Sequence, residues 1–169
     1  MKKICVITSS RADYGLLKPL MMSMQKSKKI QLSIFVTGSH LSKKHGNTIN
    51  EIISDEFTID KKIKLPITND TSEKITKCLG YVITKFGLFF SKMKPDAILI
   101  LGDRYEILGV ACSAIINRIP IIHIHGGEKT LGAYDDAFRH SISKMSVLHF
   151  VSHSAYKKRL IQLGENSQH

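Results

Sequence analysis

Apolar positions along this chain repeat with two periods, one typical of buried strands and one typical of helices. Short apolar runs predict strands at residues 3–8, 31–37, 57–64, 97–101, 121–124 and 147–151. Apolar side chains that recur every three or four positions predict helices at residues 14–26, 47–54, 71–92, 105–117, 133–145 and 155–163. The pattern therefore indicates about six strand–helix units.

Strands that alternate with helices form parallel sheets with right-handed crossovers, so this order predicts an α/β fold with helices on both faces of the sheet. In such sheets ligands bind at the carboxyl ends of the strands. Four polar loops follow predicted strands, at residues 9–14, 38–46, 102–106 and 125–136. We expect these loops to meet along one edge of the sheet.

Composition and charge indicate which kinds of partner this protein could bind. The 169 residues carry a formal net charge of +11, which favours anionic partners, although most of the lysines are expected to be solvated surface residues. The sequence has no basic stripe interleaved with aromatic residues, so nucleic acid is a poor candidate partner. It also has no run of about 18 apolar residues and no secretory signal, so a membrane span is not predicted.

The cysteines indicate a reducing compartment. Cys5, Cys78 and Cys112 are far apart in the sequence, and no CxxC pair is present. Neither a zinc site nor a disulfide framework is therefore predicted. We expect reduced thiols in a cytoplasmic protein.

The loop after the first strand could bind an anion. A dinucleotide-binding domain would carry GxGxxG here, and the sequence does not have it, which disfavours NAD. Arg11 and the helix N-terminus could hold a phosphate, or Arg11 could simply pair with Asp13; the residues favour neither. Asp13 is the expected N-cap of the first helix.

Charged residues also follow the fourth and fifth predicted strands. Asp103 could be a general acid or base, although its position favours a helix cap, and Arg104 could bind a phosphate through two hydrogen bonds. His123 and His125 alternate along a strand and point to opposite faces, which argues against a shared metal. We expect His123 in the core and His125 at the site.

The segment after His125 concentrates acidic and basic groups. Glu128 projects from a tight turn that follows two glycines, which let a ligand approach the backbone closely. Asp136, Arg139 and His140 share a helix face by their spacing. Asp135 and Asp136 also suit a helix start, through the helix dipole. Clustered carboxylates beside Arg and His can separate their pKa values, as acid–base catalysis requires.

Five ordered motifs are together more specific than any one of them: SRADYG at 10–15, TGSHL with HGNT at 37–48, GDR at 102–104, HGGE at 125–128 and DDAFRHSISK at 135–144. Over essentially the whole chain they resemble the N-terminal half of the hydrolysing UDP-N-acetylglucosamine 2-epimerases of sialic-acid-type sugar synthesis. The resemblance implies that residues 1–169 are one Rossmann-like domain of a GT-B-like two-domain fold, and that the C-terminal UDP-binding domain is absent from this chain.

The resemblance also implies a reaction and a set of residues. UDP leaves C1 of the sugar as C2 loses a proton, and water adds to the resulting glycal to give N-acetylmannosamine. The implied catalytic carboxylates are Asp103, Glu128, Asp136 and Asp135. The implied substrate-binding residues are Arg11, Asp13, His40, Arg104, His125, Arg139 and His140. Neither a cofactor nor a metal is implied.

Three alternatives stay open. The substrate could be the UDP-2,4-diacetamido sugar of legionaminic acid synthesis, the chain could bind a sugar nucleotide or a complementary chain without turnover, or it could be half of a glycosyltransferase. We expect a truncated chain that is inactive alone. A homo-oligomer could form through residues 81–93, although core packing explains Phe86, Phe89 and Phe90 equally well.

Overall fold

The computed structural model describes residues 1–43, 46–66, 71–130 and 134–169. The strands are β1 (Lys2–Thr8), β2 (Ile30–Thr37), β3 (Lys61–Ile63), β4 (Ala97–Leu101), β5 (Ile121–Ile124) and β6 (Leu148–Phe150). The helices are α1 (Arg11–Lys26), α2 (Ile49–Ser54), α3 (Ser72–Met93), α4 (Tyr105–Ile116), α5 (Asp135–Met145) and α6 (Ser154–Gln162), and a short 3-10 helix at Gly38–Leu41 follows β2.

The six strands form one parallel sheet in the order β3–β2–β1–β4–β5–β6. The chain moves outward from β1 in one direction through β2, and outward from β4 in the other direction through β5. The boundary between β1 and β4 is therefore the switch point, where crevices for ligands form in sheets of this kind. The predicted parallel α/β fold is confirmed.

Two apolar cores lie on opposite faces of the sheet, because successive side chains of a strand point to opposite sides. Cys5 and Ile7 of β1 belong to one core, whereas Ile4 and Val6 belong to the other. The first core is covered by α3, α4 and α5, and the second by α1 and α2. Helices thus cover both faces, as predicted.

Phe86 and Phe90 of α3 are fully buried in the first core, where α3 packs against the sheet and α4. Phe89 packs partly buried against the same core. These side chains are therefore core residues, and self-association remains a prediction. Within the described ranges, no helix combines the length and the apolar character needed to cross a membrane.

Two capping predictions are wrong. α1 begins at Arg11, and its N-cap is Ser10, whose hydroxyl accepts a hydrogen bond from the Asp13 amide at 3.3 Å. Asp13 therefore lies inside the first turn of the helix. The N-cap of α4 is Arg104, so Asp103 does not cap that helix and its carboxylate is available elsewhere. In the sequence, Asp70 and Glu73 resemble a capping box for α3, but Asp70 lies outside the described residues.

Candidate active site

The polar loops meet at the carboxyl edge of the sheet. The Ser39 amide after β2 donates to the Ser9 carbonyl after β1 at 2.8 Å. The Thr130 hydroxyl after β5 donates to the Asp103 carboxylate after β4 at 3.1 Å. Parallel strands end on the same side, so residues that are far apart in the sequence become neighbours there.

Arg139 of α5 lies at the centre of an acidic cluster. Its side chain is buried, and Nη2 donates to Oδ2 of Asp103 and, at 3.2 Å, to the hydroxyl of Thr130. Nη1 donates to the His125 carbonyl at 2.7 Å and lies 3.6 Å from Oε2 of Glu128. One guanidinium therefore joins the loop after β4 to the turn after β5 and offsets the charge of two carboxylates.

The turn after β5 presents Glu128. Nδ1 of His125 donates to Oε1 of Glu128 at 2.5 Å, and the Ser152 hydroxyl donates to the same oxygen at 3.1 Å. The backbone of His125 is left-handed, with φ of 63°. Strand geometry therefore ends at Ile124, and His125 turns into the loop instead of continuing the alternation along β5.

Helix α6 supports this turn from behind. Gly127 has φ of 73°, and a Cβ there would lie 2.5 Å from the Tyr156 carbonyl oxygen, so the close approach requires glycine. Arg159 donates to the Gly127 carbonyl. The position of Glu128 thus depends on an element that follows it in the sequence.

Asp135 and Asp136 complete the group, which we call the carboxylate cluster: Asp103, Glu128, Asp135, Asp136 and Arg139. The Thr130 amide donates to Oδ1 of Asp136 at 3.1 Å, and Oδ2 of Asp136 lies 3.5 Å from Nε2 of His140. Burial and then the charge of Asp103 raise the pKa of Asp135. The predicted catalytic carboxylates are therefore brought together, although roles for them remain predictions.

A second group lies at the switch point between β1 and β4. Arg104 donates from Nε to Oε1 of Glu106 at 2.6 Å, and Glu106 is almost fully buried whereas Arg104 is about half exposed. Asp13 is buried and accepts from the Ser9 hydroxyl at 2.9 Å. Arg104 is within electrostatic reach of both Asp13 and Asp135, so it lies between the two groups.

Two predicted binding residues occupy different positions from the rest. His40 is fully buried, with Nε2 3.0 Å from the Thr8 hydroxyl and Nδ1 2.8 Å from the Thr48 hydroxyl. Burial lowers its pKa. Arg11 is exposed and pairs with Glu51 at 2.8 Å, not with Asp13.

His123 is a core residue, as the sequence predicted. It is fully buried, with Nε2 2.8 Å from the Gly102 carbonyl and Nδ1 3.2 Å from the Ser143 hydroxyl. Because a carbonyl only accepts, Nε2 carries the proton and Nδ1 accepts from Ser143. Burial lowers the pKa of His123 to about 4, so the ring is neutral near pH 7.

Three residues of these groups were not predicted from the sequence: Glu106, Thr130 and Ser152. An acid in the first turn of a helix and hydroxyls in loops are ordinary in any protein, so their residue types carry no signal. Within the described ranges no cluster of three or more His, Cys, Asp or Glu side chains suits a metal ion. A cavity of about 250 Å³ lies elsewhere, beside β6 and α6, and includes none of the predicted site residues.

Sequence comparison identifies the family. A family model described as UDP-N-acetylglucosamine 2-epimerase matches residues 22–169. This chain belongs to that family. The match confirms the resemblance, and it covers four of the five motifs, the carboxylate cluster and the switch-point residues Arg104 and Glu106.

Two curated relatives are similar along almost the whole chain. The "GDP/UDP-N,N'-diacetylbacillosamine 2-epimerase (hydrolyzing)" of Campylobacter jejuni is 48% identical over 99% of this chain and 43% of its own length. "Polysialic acid biosynthesis protein P7" of Escherichia coli is 48% identical over 98% of this chain and 42% of its own length. The chain thus spans less than half the length of these relatives.

A solved epimerase structure shares the fold. The UDP-GlcNAc 2-epimerase of Neisseria meningitidis, solved bound to UDP-GlcNAc, superposes with a TM-score of 0.84 at 22% identity, over 99% of this chain and 44% of that one. The GT-B-like character of the domain is therefore confirmed.

Proposed function

We propose that this chain is the N-terminal half of a hydrolysing nucleotide-sugar 2-epimerase that releases UDP and N-acetylmannosamine from UDP-N-acetylglucosamine. The observation that carries the proposal is the carboxylate cluster: hydrogen bonds and an ion pair join Asp103, Glu128 and Asp136 to Arg139 and Thr130 at the ligand edge of the sheet. The family of the chain and the fold of its structural relatives support the same assignment.

The proposed reaction has two steps. A carboxylate removes the proton at C2 while the C1–O bond breaks, so that UDP leaves with the electron pair and a C1=C2 double bond forms. Water then adds a hydroxyl at C1 and a proton at C2 on the opposite face, giving the free epimerised sugar. Both steps need an acid and a base held close together in different protonation states.

The geometry suggests how the groups divide these tasks. Glu128 faces His125 across a 2.5 Å hydrogen bond, so a proton taken up by this pair can be shared. Burial and the charge of Asp103 raise the pKa of Asp135, which suits the role of an acid. Asp103 is hydrogen-bonded by Arg139 and Thr130, and its negative charge stabilises positive charge that develops at the reacting carbon. Arg104 is placed to meet the diphosphate.

A second candidate substrate is the UDP-2,4-diacetamido sugar. The name of the Campylobacter relative, at 48% identity, favours it, whereas the name of the Escherichia coli relative favours a sialic acid pathway. The two substrates differ at C4, away from the C1–C2 chemistry, and the same carboxylates serve both. We place either reaction in the cytoplasm, in agreement with three unpaired cysteines.

Turnover of the completed protein tests the proposal. We expect the chain joined to an epimerase C-terminal half to release UDP from UDP-N-acetylglucosamine or its diacetamido analogue, and Glu128→Gln to lower the rate by at least about 100-fold. Glu73→Gln, which removes half of an exposed ion pair on α3, is the matched control and should keep the parent rate.

Product analysis separates the alternatives. Free N-acetylmannosamine beside UDP supports the epimerase, whereas sugar retained on an added acceptor would indicate a glycosyltransferase. Tight UDP-sugar binding with no UDP release by the completed protein would indicate a binding module. Full activity of Glu128→Gln would remove Glu128 from the mechanism.

A further inference from the structure

Glu106 is a buried acid that the reaction proposed above does not use. It lies in the first turn of α4, at the switch point, and is 1% exposed. Oε1 accepts from Nε of Arg104, whereas Oε2 is buried and has no hydrogen-bond partner among the described residues. A buried carboxylate oxygen without a partner destabilises the fold, so the presence of Glu106 at this position requires an explanation.

The helix dipole explains only part of this arrangement. An acid in the first turn interacts favourably with the helix N-terminus, but an exposed side chain gains the same interaction. Glu106 instead points into the junction of three loops. A Cβ on Gly38 would lie 3.2 Å from its Oε1 and 2.5 Å from the Ser9 carbonyl oxygen. Gly38, with φ of 59°, leaves the space that the carboxylate occupies.

The buried carboxylate of Glu106 is hydrogen-bonded to Arg104. Nε is its only hydrogen-bonded nitrogen within the described part of the chain, so its terminal amino groups keep four N–H donors. The side chain is 48% exposed, against 1% for that of Glu106. The guanidinium is thus anchored at its inner edge and open at its outer edge, the geometry that binds a phosphate through two parallel hydrogen bonds.

We infer that Glu106 is a positioning residue that holds Arg104 by Nε, so that its terminal amino groups face the diphosphate of the nucleotide sugar. The inference rests on the proposed function for the identity of the ligand, but the Glu106–Arg104 tether is independent of it. A long arginine side chain loses rotamer entropy when it is ordered. Holding it before the ligand arrives removes that loss from binding.

Arginine side-chain NMR tests the tether on this chain alone. The Nε–Hε signal of Arg104, identified by its disappearance in Arg104→Lys, should exchange slowly with water because its acceptor is buried. Glu106→Leu should speed that exchange by about tenfold or more, and Glu106→Gln, whose amide oxygen can still accept, should change it less. Unchanged exchange in Glu106→Leu would overturn the inference.

The chain offers a matched control. Arg11 also donates from Nε to a glutamate, Glu51, at 2.8 Å, but this pair is exposed. Its signal should exchange rapidly in the parent chain. Glu51→Gln should leave the Arg104 signal unchanged, and a change there would show that the signal reports general loosening of the fold.

Kinetics of the completed protein tests the consequence for binding. Glu106→Leu should raise KM for the UDP-sugar by about tenfold with a smaller change in kcat, and Glu106→Gln should restore most of the affinity. In an Arg104→Met background, adding Glu106→Leu should change KM by less than about twofold, because Glu106 acts through Arg104. Equal effects in both backgrounds would overturn the positioning role.

Absence of turnover in the parent protein would contradict the proposed function. The NMR result would then decide by itself whether Glu106 holds Arg104.

Discussion

Single buried polar residues organise the candidate site. Arg139 is 7% exposed and bonds to three groups from two loops: Asp103 after β4, and Thr130 and the His125 carbonyl after β5. A buried charge is stable only while it is paired and hydrogen-bonded. Its carboxylate partners therefore depend on Arg139 as much as the reverse, and removing either side leaves an unpaired charge.

Replacing Arg139 tests this dependence. Arg139→Met should lower the free energy of unfolding by about 3–5 kcal/mol, because it leaves Asp103 partly buried without its cation. Urea unfolding measures the change. Lys77→Met, which removes the cation of an exposed pair on α3, should have almost no effect. Equal small effects of both substitutions would contradict the proposed structural role of Arg139.

His123 should make stability depend on pH. Unfolded His123 binds a proton near its ordinary pKa of 6.5, whereas folded His123 stays neutral down to about pH 4. The unfolded chain therefore holds more protons between these values, and the free energy of unfolding should fall as pH falls from about 6.5 to about 4, by roughly 3 kcal/mol in total.

The variant His123→Gln should lose this part of the pH dependence, although its burial makes it less stable at every pH. Urea unfolding of parent and variant at about pH 7.5 and about pH 4.5 gives the comparison. His169→Gln, at an exposed histidine, should keep the parent difference. An unchanged difference in His123→Gln would exclude a neutral buried ring.

At the scale of elements, two long helices pack closely because one position carries no side chain. A Cβ on Gly109 of α4 would lie 2.8 Å from Cγ1 of Val82 and 3.1 Å from Cδ1 of Leu79, both on α3. Gly80, on α3 itself, has open space where its Cβ would be. The helix packing therefore requires glycine at position 109 but not at position 80.

Alanine at these positions should change stability in opposite directions. Gly109→Ala should destabilise the chain by about 1–3 kcal/mol through overpacking. Gly80→Ala should stabilise it by about 0.5–1 kcal/mol, since alanine favours the helix interior. Thermal unfolding compares the two variants, and a stabilising Gly109→Ala would mean that α3 and α4 do not pack as described.

At the scale of the whole molecule, the active site proposed above is open on one side. The carboxylate cluster lies at an open edge of the sheet, where His125 and Glu128 keep about a quarter of their side-chain surface exposed. Ligand pockets usually bury most of a ligand of this size. Under the proposed function, a second domain facing this edge would enclose the sugar nucleotide.

We expect the 169-residue chain to release no measurable UDP by itself, and the same chain joined to an epimerase C-terminal half to release it. An enzyme-coupled assay for UDP measures both at equal concentration. The control is the C-terminal half alone, which should be inactive because it carries none of the four carboxylates. Turnover by the isolated chain at the rate of the completed protein would show that one wall suffices.

The sequence by itself determined the class of fold and most of its elements. A continuous apolar run marks β4 with the observed bounds, because a strand buried on both faces is apolar throughout, and the isoleucines around His123 mark β5 with the observed bounds. The ordered motifs determined the family. The core position of His123 followed from side-chain alternation along β5, since that rule is local to the strand.

Only the tertiary structure decided what the charged residues touch. Asp103 and Asp13 occupy positions that suit helix caps, yet Arg104 and Ser10 are the N-cap residues. The partner of Arg11 is 40 positions away, at Glu51. Glu106 could be recognised only from its burial beneath Arg104. Local sequence sets backbone propensity, but hydrogen bonds between loops depend on which strand ends become neighbours, and that is set by the order of strands in the sheet.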